Sequence, residues 1–287
     1  MQPDHQRLAI GEPTSFRRRT PAERAIARLS GLLGRGAPRA ALARAYEGAL
    51  WVATAGRGFR ATLPHGEIVR LAPACRGATW NRAEYDALRT ATRPGAIVID
   101  AGANVGAYSV LFAQWTGQNG HVFAFEPVSA VARLLRRQLR LNGVEDRVSV
   151  VESAVGAGPG RVVLTAPGLV GINRAAAPGE AADDLVDVPA ISIDAFCAAR
   201  RVRPSVIKID VEGAELEVLR GARETIAGSA ALELFVEMHP SLWPRYGICR
   251  ADLARELAAQ GLVAEPLRAD DDVWRVEGIC ARLRRRR

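Results

Sequence analysis

A doubly wound α/β fold is what this sequence predicts: a mostly parallel sheet of roughly seven strands with helices on both faces, preceded by a helical extension. Three observations carry the prediction. An apolar run, Ile97-Val98-Ile99, ends in Asp100 and passes through a glycine-spaced loop into a helical pattern at Ala107. A second apolar run ends in Glu126, 20 positions beyond Gly106. Two more, Val206–Ile209 and Leu232–Met238, run into Asp210 and His239. Short β-branched runs alternating with helix-length segments are the signature of strands buried on both faces and joined by crossover helices.

The chain has 287 residues, 48% of them hydrophobic, which is enough for one large core. Its net charge of +8 comes from 39 basic against 31 acidic residues. Only Lys208 among the basic residues is a lysine, so the excess of arginine, with the abundant Ala and Gly, reads as compositional drift rather than as a nucleic-acid stripe. A nucleic-acid partner is therefore not favoured. The four cysteines are dispersed with no C-x-x-C pair, and the four histidines show no ligand spacing. No run approaches the roughly 20 apolar residues of a membrane span. The expected setting is soluble, reducing and cytoplasmic.

Taken in order, residues 1–19 read as a polar disordered tail. Residues 20–75 form a second region. Thr20-Pro21 opens a helix to about Leu33, Pro38 opens another to about Ala49, and residues 51–71 alternate as a hairpin with turns at Gly56 and Pro64-His65-Gly66. The apolar faces of these helices need cover, as a lid or a homodimer contact. From residue 76 to 283 the main domain follows. A helix from Asn81 to about Ala91 packs through Trp80, Tyr85 and Leu88 and is stopped by Arg93-Pro94-Gly95.

The loop after Ile99 sets the ligand chemistry. Gly102 and Gly106 let the backbone turn sharply, but their spacing is G-x-x-x-G rather than the G-x-G-x-x-G on which a pyrophosphate rests, and Asp100 would repel a phosphate. A carboxylate there suits a cationic cofactor such as S-adenosylmethionine, with NAD as the competing reading. Glu126 can accept both hydroxyls of a ribose, which serves either cofactor. The helix from Ser129 to Leu141 exposes Arg133, Arg136, Arg137 and Arg140, and Asn142-Gly143 supplies its left-handed cap. The third strand, Val148 to Ala154, brings Ser153 and Ala154 to the same edge, where they can hydrogen-bond an adenine.

Past Gly156 the pattern loosens. Arg161–Leu164 is a short strand, and residues 166–188, with Asn173, Asp183 and Asp184, read as an insertion at the active-site edge. The next strand places Lys208, Asp210 and Glu212 on one side, and charged residues in an apolar strand are costly to bury without partners. Glu237 and His239 share a side of the strand after it. A helix from Asp252 to Gln260 and two segments, 262–267 and 273–283, complete the sheet with an antiparallel last strand, leaving an arginine-rich tail.

The segments V-I-D-A-G-A-N-V-G-A-Y-S, F-E-P, I-K-I-D-V-E-G-A-E and F-V-E-M-H-P together resemble the FkbM-type family of S-adenosylmethionine-dependent methyltransferases, over about residues 80–245. The resemblance implies the Rossmann-like class I methyltransferase fold and O-methylation of a hydroxyl on a secondary metabolite, sugar or glycan intermediate. It further implies that Asp100, Gly102, Asn104 and Gly106 border the methionine part of the cofactor, Glu126 the ribose and Ser153 the adenine, with Asp210 facing the amino group or the acceptor. Such a transfer needs a base for the acceptor hydroxyl. His239 is the first candidate, as a neutral imidazole near neutral pH, followed by Glu212 and Asp210, with Lys208 as their partner. A divalent metal held by Asp210, Glu212, Glu237 and His239 is the less favoured alternative. Two readings from other classes compete: an RNA or DNA methyltransferase, and a non-catalytic subunit that binds the cofactor.

Overall fold

The structure is a computed structural model, and it describes residues 37–165, 174–176 and 185–286. The predicted tail 1–19, the predicted helix from Thr20 to Leu33, and Asn173, Asp183 and Asp184 lie outside the described residues. Helix α1 (Ala37–Ala53) leads into the hairpin β1 (Phe59–Thr62) and β2 (Ile68–Leu71). The helix thus runs four residues beyond its predicted end, and the hairpin starts later. Helix α2 (Arg82–Ala91) begins at the Asn81 cap, whose side chain accepts from the amides of Ala83 and Glu84.

The core alternates as the sequence predicts. Strand β3 (Ile97–Ala101), helix α3 (Ala107–Thr116), strand β4 (His121–Phe125), helix α4 (Ser129–Asn142) and strand β5 (Val148–Val151) form the first half. Gly143 adopts φ 62° and closes α4 as a left-handed cap. After two short strands and a hairpin, β6 (Ala154–Val155), β7 (Gly160–Thr165), β8 (Arg174–Ala175) and β9 (Leu185–Ile191), the chain resumes with helix α5 (Ile193–Arg200) and strand β10 (Val206–Ile209). Helices α6 (Glu215–Arg220) and α7 (Arg223–Ala227), strand β11 (Glu233–Met238), helix α8 (Arg250–Ala259), and strands β12 (Leu262–Pro266) and β13 (Ile279–Arg285) finish it.

The seven-stranded sheet has the order β12-β13-β11-β10-β3-β4-β5, parallel except for β13, which runs antiparallel to both neighbours. Strand order reverses between β3 and β10, the crevice position at which open α/β sheets bind ligands. Val98, Ile99, Ala101, Val206, Ile207 and Ile209 are at or below 1% exposure, so both faces of the central strands are covered and the apolar runs need no alternation.

Three expectations are corrected. The third strand stops at Val151, because the chain bends at Glu152 and Ser153 and moves Ala154–Val155 into a separate four-stranded sheet, β6-β9-β7-β8. The loose stretch before Ile193 contains strand β9, paired with β7 from Gly160↔Ala190 to Thr165↔Leu185, which Pro189 and its mixed composition disguised. The arginines beyond residue 283 are not all a tail: Arg284 and Arg285 extend β13 past its predicted end, and Arg284 pairs with Glu265 as Arg282, inside the predicted segment, pairs with Glu233.

Candidate functional site

The two glycines of the opening loop are demanded by packing. A methyl group on Gly102, whose φ is +86°, would lie 1.7 Å from the Asp210 carbonyl oxygen, and one on Gly106, at φ +83°, would lie 2.1 Å from Leu135 Cδ1. Gly102 thus brings the β3 loop against the end of β10, where the Asp210 amide donates to the Ala101 carbonyl at 2.9 Å. The amides of Gly102 and Ala103 donate to the Phe125 carbonyl at the end of β4, tying the three strand ends together.

Above them lies a cleft of about 750 Å³, counted with its open mouth. Gly102, Asn104, Glu126, Ser153, Ala154, Asp210 and Glu212 line it, and Val162, Leu164 and Ala175 of the second sheet contribute an apolar wall. The structure therefore gathers seven of the candidate residues around one space. A wider groove of about 1410 Å³, along Leu234, Leu262 and Arg284, holds none of them.

Asp100 and Gly106 are not on the wall of the cleft. Asp100 is 1% exposed and accepts a hydrogen bond from Ser109 Oγ at 2.6 Å, and burial raises its carboxyl above the ordinary value despite the opposing charge of Lys208. It supports the loop from below. Glu126, 3% exposed, accepts from the Val128 amide at 2.8 Å; burial pushes its carboxyl up to about 7, opposed by the hydrogen bonds of Val128 and Asn104. The Ser153 hydroxyl donates to the carbonyls of Ala154 and Pro189 at 3.1 Å.

The far end of the cleft carries the charged cluster. Lys208 Nζ, 5.1 Å from the Tyr108 ring centroid, donates to Asp210 Oδ2 at 3.0 Å and stands 3.7 Å from Glu84 Oε1. Burial alone would lower the lysine, but Asp210 and Glu84 hold it well above its usual range; Asp210, likewise disfavoured by burial, is held low by Lys208. Glu212 occupies the left-handed region at φ 51°, as does Asn104 at 48°. For a glutamate this costs on the order of 1 kcal/mol or more, a strain characteristic of functional sites.

His239 stands behind that wall, 3% exposed. Its Nδ1 lies 2.7 Å from Glu215 Oε1, and Glu215, fully buried, also accepts from the Gly213 amide at 2.9 Å and from Trp243 Nε1 at 2.8 Å. The Nε2 atom faces Glu212 Oε2 at 3.4 Å, Glu237 Oε1 at 3.8 Å and Asp210 Oδ1 at 3.9 Å. Burial would lower the imidazole, but Glu215 and the carboxylates around it raise it to about 10, against the premise of a neutral ring near neutral pH. Burial raises Glu237 well above its usual range and Glu212 more modestly.

Sequence reasoning gave no role to Glu215, Trp243 or Glu84. Glu84 did leave a signal: it shares the apolar face of α2 with Tyr85 and Leu88, where an acid has no reason to stand unless it meets a buried cation. The described part of the N-terminal segment, from Ala37, packs against α4. Arg137 stacks over Trp51 at 3.9 Å, and the Arg70 amide and Ala72 amide donate to Asn142 and Gln138 near the C-terminal end of α4, the end remote from the cleft.

A seven-stranded sheet with this strand order, one antiparallel strand and a cleft over the reversal point defines the Rossmann-like class I methyltransferase fold. The family model described as the Methyltransferase FkbM domain matches residues 100–257, more than half of the chain, and the chain belongs to this family of S-adenosylmethionine-dependent methyltransferases. Among solved structures it is similar to a methyltransferase FkbM from Methylobacillus flagellatus KT, at 21% identity and a TM-score of 0.44, over 66% of this chain and 43% of that one. It is also similar to ribosomal protein L11 methylase from Lactobacillus delbrueckii subsp. bulgaricus (12% identity, TM-score 0.47, 80% of this chain and 91% of that one). A third is fibrillarin from Aeropyrum pernix with natively bound S-adenosyl-L-methionine, at 11% identity and a TM-score of 0.44, over 79% and 82% of the two chains. No curated protein matches significantly. No helix among the described residues is long and apolar enough to cross a membrane.

Proposed function

We propose that the chain methylates a hydroxyl group of a secondary metabolite, sugar or glycan intermediate, with S-adenosylmethionine as donor. The observation that carries this reading is the asymmetry of the cleft. One end offers a ribose acceptor, Glu126, beside the backbone of Ser153 and Ala154, while the other ends in Asp210 and Glu212 with His239 behind them. In this reading Gly102 and Asn104 border the methionine part of the cofactor and Asp210 faces its ammonium, with Asp100 and Gly106 acting through the loop they support.

Methyl transfer from a sulfonium is an in-line displacement. The acceptor oxygen forms a bond to the methyl carbon as the carbon–sulfur bond breaks, and the electron pair stays on sulfur as S-adenosylhomocysteine. The hydroxyl proton must leave. Glu212, on the wall of the cleft, is placed to take it, whereas the buried His239 acts through Glu212 as its charge partner. Lys208 fixes Asp210 by holding Oδ2. General-base assistance of this kind is worth roughly 10²–10⁴-fold.

The test is a panel of hydroxylated acceptors assayed with labelled donor, wild type against Glu212→Gln. Transfer to a hydroxyl oxygen, lowered by about 10² or more in the variant with donor affinity retained, supports the reading. Transfer only to nitrogen or carbon, or no donor binding by the folded chain, overturns it.

A further inference from the structure

The charged end of the cleft has a geometry that acid–base chemistry alone does not use. Asp210 divides its two oxygens: Oδ2 accepts from Lys208, and Oδ1 is turned toward His239 Nε2 at 3.9 Å. Glu212 Oε2 approaches the same nitrogen at 3.4 Å, held there by a backbone at φ 51°. One ligand atom from each of Asp210, Glu212 and His239 lies within 4.8 Å of the others. Metal bonds near 2.1 Å place neighbouring ligand atoms roughly 3.0–3.4 Å apart, so a small inward movement of these side chains closes a coordination shell.

The imidazole supplies the independent observation. Among the described residues its one hydrogen bond of normal geometry is at Nδ1, where the fully buried Glu215 fixes the ring, while Nε2 points into the space between three carboxylates. A carboxylate behind one ring nitrogen, with the other turned toward candidate ligand oxygens at 3.4–3.9 Å, is the outer support that metal-binding histidines use. Glu215 is itself locked by Gly213 and Trp243, so the ring orientation is built into the core. Charge points the same way. Glu84 and Asp210 converge on Lys208, and Glu212, Glu215 and Glu237 on His239, so five carboxylates share one lysine and one imidazole in a chain whose net charge is +8.

We propose that Asp210, Glu212 and His239 bind one divalent ion of the transition series, Mn²⁺ or Zn²⁺, at the acceptor end of the cleft. A mixed imidazole and carboxylate set suits such ions better than Ca²⁺ or Mg²⁺. The site stands on these side chains alone; its chemical role rests on the O-methyltransferase reading. There the ion takes a lone pair of the acceptor hydroxyl and lowers its pKa, and the proton leaves to the Glu212 oxygen that does not bind the ion.

The experiment uses the full chain stripped with a chelator. Mn²⁺ is titrated in without donor or acceptor and followed by loss of the free-ion electron paramagnetic resonance signal, with Zn²⁺ as competitor. One ion per chain, with a nitrogen hyperfine coupling from a directly bound imidazole, is the expected result. Glu212→Gln and His239→Gln each weaken binding by more than tenfold, and Glu215→Gln by about 10–100-fold. The surface variant Asp187→Asn leaves it unchanged. Substoichiometric binding by folded wild type, absence of the nitrogen coupling, or wild-type affinity in both His239→Gln and Glu212→Gln overturns the site. Because the wild-type spectrum is decisive by itself, poor folding of a variant leaves the test intact. Full methyl transfer to a hydroxyl by metal-free chain overturns the role of the ion and leaves the O-methyltransferase reading standing. A bound ion with no transfer to any hydroxyl does the reverse.

Discussion

Lys208 and Glu84 meet across the boundary between the central sheet and the helix that precedes it: Nζ of the one stands 3.7 Å from Oε1 of the other, both side chains almost wholly buried. The contact ties α2, which lies ahead of the first core strand, to the strand that carries Asp210.

Removing one partner of a buried ion pair typically costs 3–5 kcal/mol, because the other charge is left uncompensated. Lys208→Met should therefore lower stability by about that amount, read as a fall in the denaturant midpoint. Lys208→Met combined with Glu84→Gln should recover a substantial part of the loss. A double variant no better than the single one would show that the pair is not coupled.

Cofactor affinity should depend on pH through Glu126. Its carboxyl stands at about 7 in the free protein, so it is protonated below that pH and ionised above it. The carboxylate is the better acceptor for ribose hydroxyls, so affinity for S-adenosylmethionine should rise with pH through about 7 and level off. Glu126→Gln should flatten this dependence. The linkage to folding has the opposite sign: a carboxyl raised on folding gives the native state extra bound protons between about 4.5 and 7, so its contribution to stability falls as pH rises through that window. Calorimetry in buffers of different ionisation enthalpy checks both.

Gly102→Ala should be severe. The left-handed backbone costs an added Cβ roughly 1–2 kcal/mol, and contact with the Asp210 carbonyl adds more. The expected outcome is a loss of more than about 2 kcal/mol in stability together with loss of donor binding. A stable variant that binds donor normally would show that the loop and β10 are not held in contact.

Trp243→Phe keeps the ring of that residue in the core but withdraws the indole donor from Glu215, a loss of about 1.5–3 kcal/mol for a hydrogen bond to a charged group. It should lower kcat through misplacement of His239 while KM for the donor stays within about twofold. An unchanged kcat would separate His239 from the chemistry.

Most of the architecture was legible because the buried parallel strands are short apolar runs closed by acids, and each such run announces both its element and its edge. The ends of these runs also gave Glu126, Asp210, Glu212 and His239. Strand β9 was hidden because Leu185–Ile191 lies on a half-exposed sheet with Pro189 inside it. Glu215 was hidden for another reason: it opens a helix, where an acid is ordinary, and only the fold carries it under His239. The placing of Asp100 below the loop was equally invisible, since a strand-end acid can turn toward a ligand or toward its own helix, and Ser109 decides which.

The contact of Gly102 with the Asp210 carbonyl also bears on how such an enzyme can change over generations. With no room for a methyl group between them, the loop after β3 and the end of β10 behave as one casting. Variation in the shape of the cleft is then left to the second sheet, whose β7 and β8 roof it through Val162, Leu164 and Ala175.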